Sequence, residues 1–274
     1  MVTAVADVLA GYAIAGLGNS AALVWLITAT ACLYTGGVVL NDFFDRRLDA
    51  TERPERPIPS GRVPAVHAAT LGGLLLLAGI LAGANASWPA GAIAFSIAAL
   101  ALIYDVWGKH HPVFGPVNIA SCRALNLLLG VAAVPLALTT SWTVALLPFA
   151  YITAVTILSR GEVHGGRRGT ATLSAAIVAG VVLATGFLAA RSGSNAIIAG
   201  LLVLLFASRV LPAFWRARRD PTPLSIRFAV RTGVLSLLLL DAVIAAVYAG
   251  APLALLILAL APIAWLLARV FAVT

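Results

Sequence analysis

Charge is scarce in this chain. Only 10% of its 274 residues are charged, lysine occurs once, at Lys109, and cysteine occurs twice. A soluble domain covers its surface with roughly a quarter charged residues, so this composition excludes one. Cys32 and Cys122 both lie in apolar stretches. Two such residues give neither a disulfide framework nor zinc-ligand spacing, and they read as small packing residues. No repeat with a period of 20–50 residues is visible, which excludes a solenoid.

What fills the chain instead is apolar sequence: 61% hydrophobic residues and a mean hydropathy of +1.02. Ten runs stand out, over 2–17, 20–40, 63–84, 88–104, 117–138, 140–159, 170–190, 194–213, 228–249 and 252–272. Most have the roughly 20-residue length that crosses a bilayer as a helix. The expected fold is all-α and integral to the membrane. Nine to ten helices would surround one central cavity, in a single domain over 1–274 with 252–272 as an added last span. The first run is short. A cleaved leader there is disfavoured, because no basic segment precedes it and no polar break follows it.

Charge placement orients the expected spans. With the N-terminus in the cytoplasm, the loops after runs 2, 4, 6 and 8 hold Arg46, Arg47, Arg53, Arg56 and Arg62, then Lys109, then Arg160, Arg167 and Arg168, then Arg216, Arg218, Arg219 and Arg227. The opposite loops hold only Arg191. This is the positive-inside pattern of a multi-pass protein of the cell membrane. It explains the net charge of +8 without nucleic acid.

Half of the ten acidic residues fall between positions 42 and 55. Asn41, Asp45 and Asp49 are spaced i, i+4, i+8 and share a helical face, whereas Asp42 is expected to point about 100° away. Such acids beside an apolar span call for a cation or a water-filled cavity. Pro54, Pro57 and Pro59 then end the helix near Ala50 or Glu52 and stiffen a loop bearing Arg56. A second polar stretch, Tyr104 to Pro112, contains Lys109. A third, Ser159 to Arg168, contains Arg160, Glu162 and His164. Run 5 carries Asn118, Arg123 and Asn126. An arginine inside an apolar run needs a polar cavity or a partner. Asp105 is one expected partner for Arg123, and Arg209 is one for Asp241.

All three loops lie on one expected side. Carboxylates suit Mg²⁺, which takes a few of them together with substrate phosphate oxygens. Arginine and lysine suit phosphate. A prenyl diphosphate, with a polyanionic head and an apolar tail, matches the combination.

Asn41-Asp42-x-x-Asp45-x-x-x-Asp49 followed by Arg56-Pro57-Ile58-Pro59-Ser60-Gly61 resembles the first motif and the following segment of the UbiA-type intramembrane prenyltransferases. Tyr104, Lys109, Gly115 and Asn118 are similar to residues the family places around spans 4 and 5, and the resemblance runs over about residues 3–250. The nearest branch by resemblance is the EboC-like group, through Trp107 to His111 and Cys122 to Gly130. That group's association with secreted metabolites implies secondary metabolism and a cyclitol-like acceptor. The chain departs from the family in two places. The family's second motif has the form D-x-x-x-D, and here Glu162 and Gly166 stand in its place. Family members have nine spans, and 252–272 reads as a tenth.

The resemblance implies Mg²⁺-dependent transfer of a prenyl group from a prenyl diphosphate to a small polar acceptor. Asn41, Asp42, Asp45, Asp49 and Glu162 would hold metal, and Arg56, Tyr104, Lys109, Arg123 and Arg160 the diphosphate. Glu162, His164, Asn118 and Asn126 would serve the acceptor or its proton. Two other readings use the same residues: a UbiA-type terpene cyclase, and a transporter or lipid-binding subunit without catalysis.

Overall fold

A computed structural model describes residues 1–263 and 266. Its regular elements are helices, as expected where no water is available to pair with the backbone. They run α1 (Val2–Ile14), α2 (Ser20–Glu52), α3 (Ala65–Ala86), α4 (Trp88–Val106), α5 (Phe114–Val131), α6 (Pro135–Ser141), α7 (Leu146–Ser159), α8 (Arg168–Ala190), α9 (Ala196–Arg219), α10 (Pro223–Leu235), α11 (Leu237–Ala249) and α12 (Ala251–Leu258). Among the described residues, eight segments are long and apolar enough to cross a membrane. The broken pairs α6–α7 and α10–α11 each make one of them, Pro135–Ser159 and Pro223–Ala249. At 13 residues α1 is about 20 Å long, shorter than a bilayer core. The expected last span begins as α12, and much of 252–272 lies outside the described residues.

The helix ends are written in the sequence. The Asn19 side chain accepts from the Ala21 amide to start α2, Ser87 from Ala90 to start α4, and Thr222 from Ser225 to start α10. Ser87 also donates its hydroxyl to the Ala132 carbonyl, tying the head of α4 to the end of α5.

Packing is built around α1 and α5. Leu26, Leu33, Leu40, Leu76 and Ala94 form one core with Val8 and Leu129. A larger core joins Leu127, Tyr151, Phe206, Phe214 and Ile244 to Ala6 and Ala10. Helices α1 and α5 contribute to both. They cross at backbone contact: a Cβ on Gly11 would lie 2.1 Å from the Leu127 carbonyl oxygen, and one on Gly130 would lie 2.2 Å from that of Val8. Small residues permit this approach between membrane helices.

At 33 residues α2 is about 50 Å long, against a hydrocarbon thickness of about 30 Å. Its first 21 residues are the apolar run. The remainder carries the acidic motif beyond that run, and the helix ends at Glu52, where the proline-rich loop begins.

Candidate active site

Three acids line one face of the projecting end of α2. A single Arg56 nitrogen donates to Asp42 Oδ1 at 3.2 Å and to Asp49 Oδ2 at 2.8 Å. Asp42 and Asp49 are seven residues apart, almost two full turns, so they point the same way. The expectation that Asp42 points away from the face is therefore revised. The face centres on Asp42, Asp45 and Asp49, with Asn41 at its edge. Burial works against the Arg56 charge, and Asp49, Asp42 and Asp45 outweigh it, so the guanidinium holds its proton more tightly than usual.

Lys109 completes the face through a salt bridge to Asp45. A tight turn after α4 presents it. Trp107 packs on Phe114 at 5.1 Å between ring centres, and the His111 imidazole accepts from the Val113 and Phe114 amides at the head of α5. His111 thus has a structural job. Arg160, from the third polar loop, donates to the His111 carbonyl at 2.8 Å. It lies near Gly115, where a Cβ would come within 3.1 Å of the Gly108 carbonyl oxygen, so the glycine lets the turn close against the head of α5. Arg160, Asp45 and Asp105 all act electrostatically on Tyr104.

Asp105 is the site residue that sequence reasoning missed. It is buried and within electrostatic reach of Lys109, Asp45 and Asp42. The signal was its position, four residues before Lys109 at the end of a span. Asn118, also buried, has an amide nitrogen with no hydrogen-bond partner among the described residues, while its oxygen accepts from the Cys122 thiol at 3.8 Å.

Other expected site residues lie elsewhere. Arg123 donates to Asp7 at 2.6 Å and to Thr3 at 2.7 Å. Its partner is Asp7, not Asp105. Asn126 donates to the Ala4 carbonyl and to Asp7, and accepts from Thr30. Both residues are engaged between helices rather than on the carboxylate face. Asp241, on α11 packed against α1, is within electrostatic reach of Asp7 and Arg123, and Arg209 is not among the groups acting on it. The main chain of Glu162 accepts from Arg227 at 2.9 Å. Burial raises the Glu162 carboxyl above the usual range, with Arg227 opposing. His164 is exposed.

Four carboxylates, Asp42, Asp45, Asp49 and Asp105, thus face two cations, Arg56 and Lys109, and two negative charges stay uncompensated within the cluster. These are hard oxygen donors of the kind that divalent Mg²⁺ or Ca²⁺ takes. Among the described residues no three His, Cys, Asp or Glu side chains stand together as a ready-made cage. The face therefore suits an ion that brings other ligands with it. Beside it, a cavity of about 480 Å³ is lined by Arg160, Arg167, Gly161, Gly165, Gly166 and Pro112 among others.

Fold and site together define a multi-pass helical membrane protein with an acidic, arginine-capped face at the ends of its spans. The chain belongs to the UbiA prenyltransferase family, whose pattern it matches over residues 4–227. The digeranylgeranylglyceryl phosphate synthase of Ignicoccus hospitalis is 38% identical over 126 residues, covering 46% of this chain and 41% of the relative. That of Methanoculleus marisnigri is 30% identical over 196 residues, 71% of this chain and 70% of the relative. Several of these relatives are matched over less than half their length. A solved structure of a UbiA homologue from Aeropyrum pernix superposes with a TM-score of 0.67 at 16% identity, over 89% of this chain and 96% of the other. A structure of a digeranylgeranylglyceryl phosphate synthase gives 0.68, also at 16% identity, over 89% and 92%. At that identity the likeness is one of fold. The relatives do not single out the EboC-like branch.

Proposed function

We propose that the protein transfers a prenyl group from a Mg²⁺-bound prenyl diphosphate to a small polar acceptor at the cytoplasmic face of the membrane. The observation that carries this is the Asp42–Asp45–Asp49 face with its excess negative charge, capped by Arg56 and Lys109, in a chain of this family. Its donor set fits Mg²⁺, which Asn41, Asp42, Asp45 and Asp49 would hold with Asp105 alongside. When bound, the ion neutralises charge on the diphosphate and so favours its departure.

The chain's own residues do the rest. Arg56 and Lys109 are paired with carboxylates here, and they turn to phosphate oxygens as the substrate arrives, which frees the acids. Arg160, the Tyr104 hydroxyl and the free Asn118 amide stand on the same side as further donors. As the bond from prenyl C1 to oxygen breaks, its electron pair leaves with the diphosphate. Fixed cations and amide donors stabilise that developing charge better than water would. The apolar spans house the tail and keep water from the allylic cation. The acceptor oxygen bonds to C1 and gives up its proton, with His164 of the third polar loop as the candidate base.

The arginine-lined cavity favours an acceptor that carries a phosphate, as the relatives' name does, over an uncharged cyclitol. Purified protein supplied with labelled geranyl, farnesyl and geranylgeranyl diphosphates tests the reading. We expect diphosphate release only with Mg²⁺, and a prenylated product with a glycerophosphate-type acceptor. A product containing isoprenoid carbons alone would make the protein a terpene cyclase. No release with any chain length would support a lipid-binding role, a reading that the incomplete second acid pair at Glu162–Gly166 favours.

A further inference from the structure

Beneath the carboxylate face lies a second polar cluster with no part in the proposed chemistry. Asp7 of α1 and Asp241 of α11 are each 0% exposed. Asp7 Oδ2 accepts from Arg123 at 2.6 Å and from Asn126 at 2.9 Å. Among the described residues, Asp7 Oδ1 and both Asp241 oxygens have no hydrogen-bond partner, although their helices α1 and α11 pack directly against each other. Three buried oxygens without a donor are too costly to leave unpaired.

Charge counting restricts the remedy. With both acids ionised, two adjacent carboxylates share one arginine, and Asp241 has no donor of its own. With both protonated, Arg123 is buried without a counter-ion. With one proton, the Asp7–Arg123 pair is neutral and so is Asp241. Asp7 is the anion, because its Oδ2 already accepts from a guanidinium and an amide. Among the described residues, the other titratable groups facing the cluster are Tyr34 on α2, Cys122 on α5 and the Met1 amino group, which interact with Arg123 or Asp7; none of them is among the groups acting on Asp241.

We propose that Asp7 and Asp241 form an intramembrane proton-binding site: Asp241 is a neutral carboxylic acid at physiological pH and donates to Asp7 Oδ1. This single proton completes a chain of hydrogen bonds. It runs from Asp241 on α11 through Asp7 on α1 to Arg123 and Asn126 on α5, and on to Thr30 of α2. Asp241 is thus a positioning residue. Its proton locks α11 against the helices that carry the carboxylate face and Asn118.

Infrared spectroscopy of the full-length protein in lipid, with isotope-labelled aspartate, tests this. We expect the carbonyl stretch of a protonated carboxyl at neutral pH, lost in Asp241→Asn. Thermal unfolding provides a second readout. Asn mimics the neutral acid, so Asp241→Asn should melt close to wild type, whereas Asp7→Asn, which strands Arg123, should melt far lower. Absence of the band in the wild type would overturn the proposal. So would equal destabilisation by the two variants, or a wild-type melting temperature that rises with sodium or calcium while that of Asp241→Asn does not. That last result would put a metal ion where the proton is assigned.

Discussion

Asp45–Lys109 at the projecting end of α2 and Asp7–Arg123 inside the bundle join the same kinds of group in two settings. The outer pair is partly exposed, with side chains 20% and 15% accessible, and it belongs to a cluster with surplus negative charge. Its cations come from loops, on Arg56 and Lys109, and can exchange carboxylate for phosphate. The inner pair has its acid fully enclosed and its arginine fixed by Thr3 as well. The outer arrangement leaves room for a ligand. The inner one commits Arg123 and Asn126 to Asp7 and ties α1, α5 and α2 together. Burial and the stiffness of the partner, more than residue type, separate a binding face from a structural knot.

Breaking the inner pair should have the largest effect on stability. Arg123→Gln leaves Asp7 without its counter-ion in the interior, a loss of about 3–5 kcal/mol for a buried pair cut on one side. Chemical or thermal unfolding in detergent checks this. Any activity that survives should keep a normal KM for the diphosphate, since Arg123 does not reach the carboxylate face. Breaking the outer pair should show the opposite pattern. Asp45→Asn should fold and melt like wild type, yet lose Mg²⁺-dependent diphosphate release by about a hundredfold or more, the scale of several kcal/mol of charge stabilisation. Wild-type turnover in that variant would remove Asp45 from the metal site.

The outer face was legible in the sequence because it is local. Asp42, Asp45 and Asp49 lie on one helix, Arg56 follows Asp49 by seven residues, and the proline run marks where the helix stops. The helical class and the positions of most spans followed from apolar run lengths, for the same reason. The inner knot was not legible, because Asp7 and Arg123 are 116 residues apart and no periodicity links them. The partners expected for Arg123 and Asp241 failed on the same ground. Asp105 lies nearer to Arg123 in sequence than Asp7 does, and Arg209 lies nearer to Asp241 than Arg123 does, but helix order decides which faces meet. Even on the local face the reading of Asp42 slipped. The i, i+4, i+8 pattern drew attention to Asn41, whereas i, i+3, i+7 from Asp42 describes the face that Arg56 bridges.

The knot depends on α1 reaching α5 closely enough for Asp7 to meet Arg123 and Asn126. Gly130→Ala tests that dependence without touching a polar group. The added methyl would meet the Val8 carbonyl, so the helices must separate, at about 1–3 kcal/mol for an overpacked contact. Lower thermal stability with an intact Mg²⁺ response is the expected outcome. An unaltered melting temperature would mean that α1 is held by the polar knot alone.

Glu162 sharpens the boundary of the outer face and should give the smallest effect. Its carboxylate stands where the family's second acid pair would be, yet its neighbour is Arg227, and the other acid of that pair is Gly166. If the Asp42–Asp45–Asp49 face with Arg160 suffices, Glu162→Gln should leave diphosphate release within about threefold of wild type, in line with the roughly 0.5 kcal/mol expected of a substitution outside a tight network. The Mg²⁺ dependence of the rate should then be non-cooperative, with arginine side chains serving where a second ion would otherwise sit. A cooperative dependence on Mg²⁺ that Glu162→Gln abolishes would extend the metal-binding face across to the α7–α8 loop and blur the line between acids that hold an ion and acids that hold the fold.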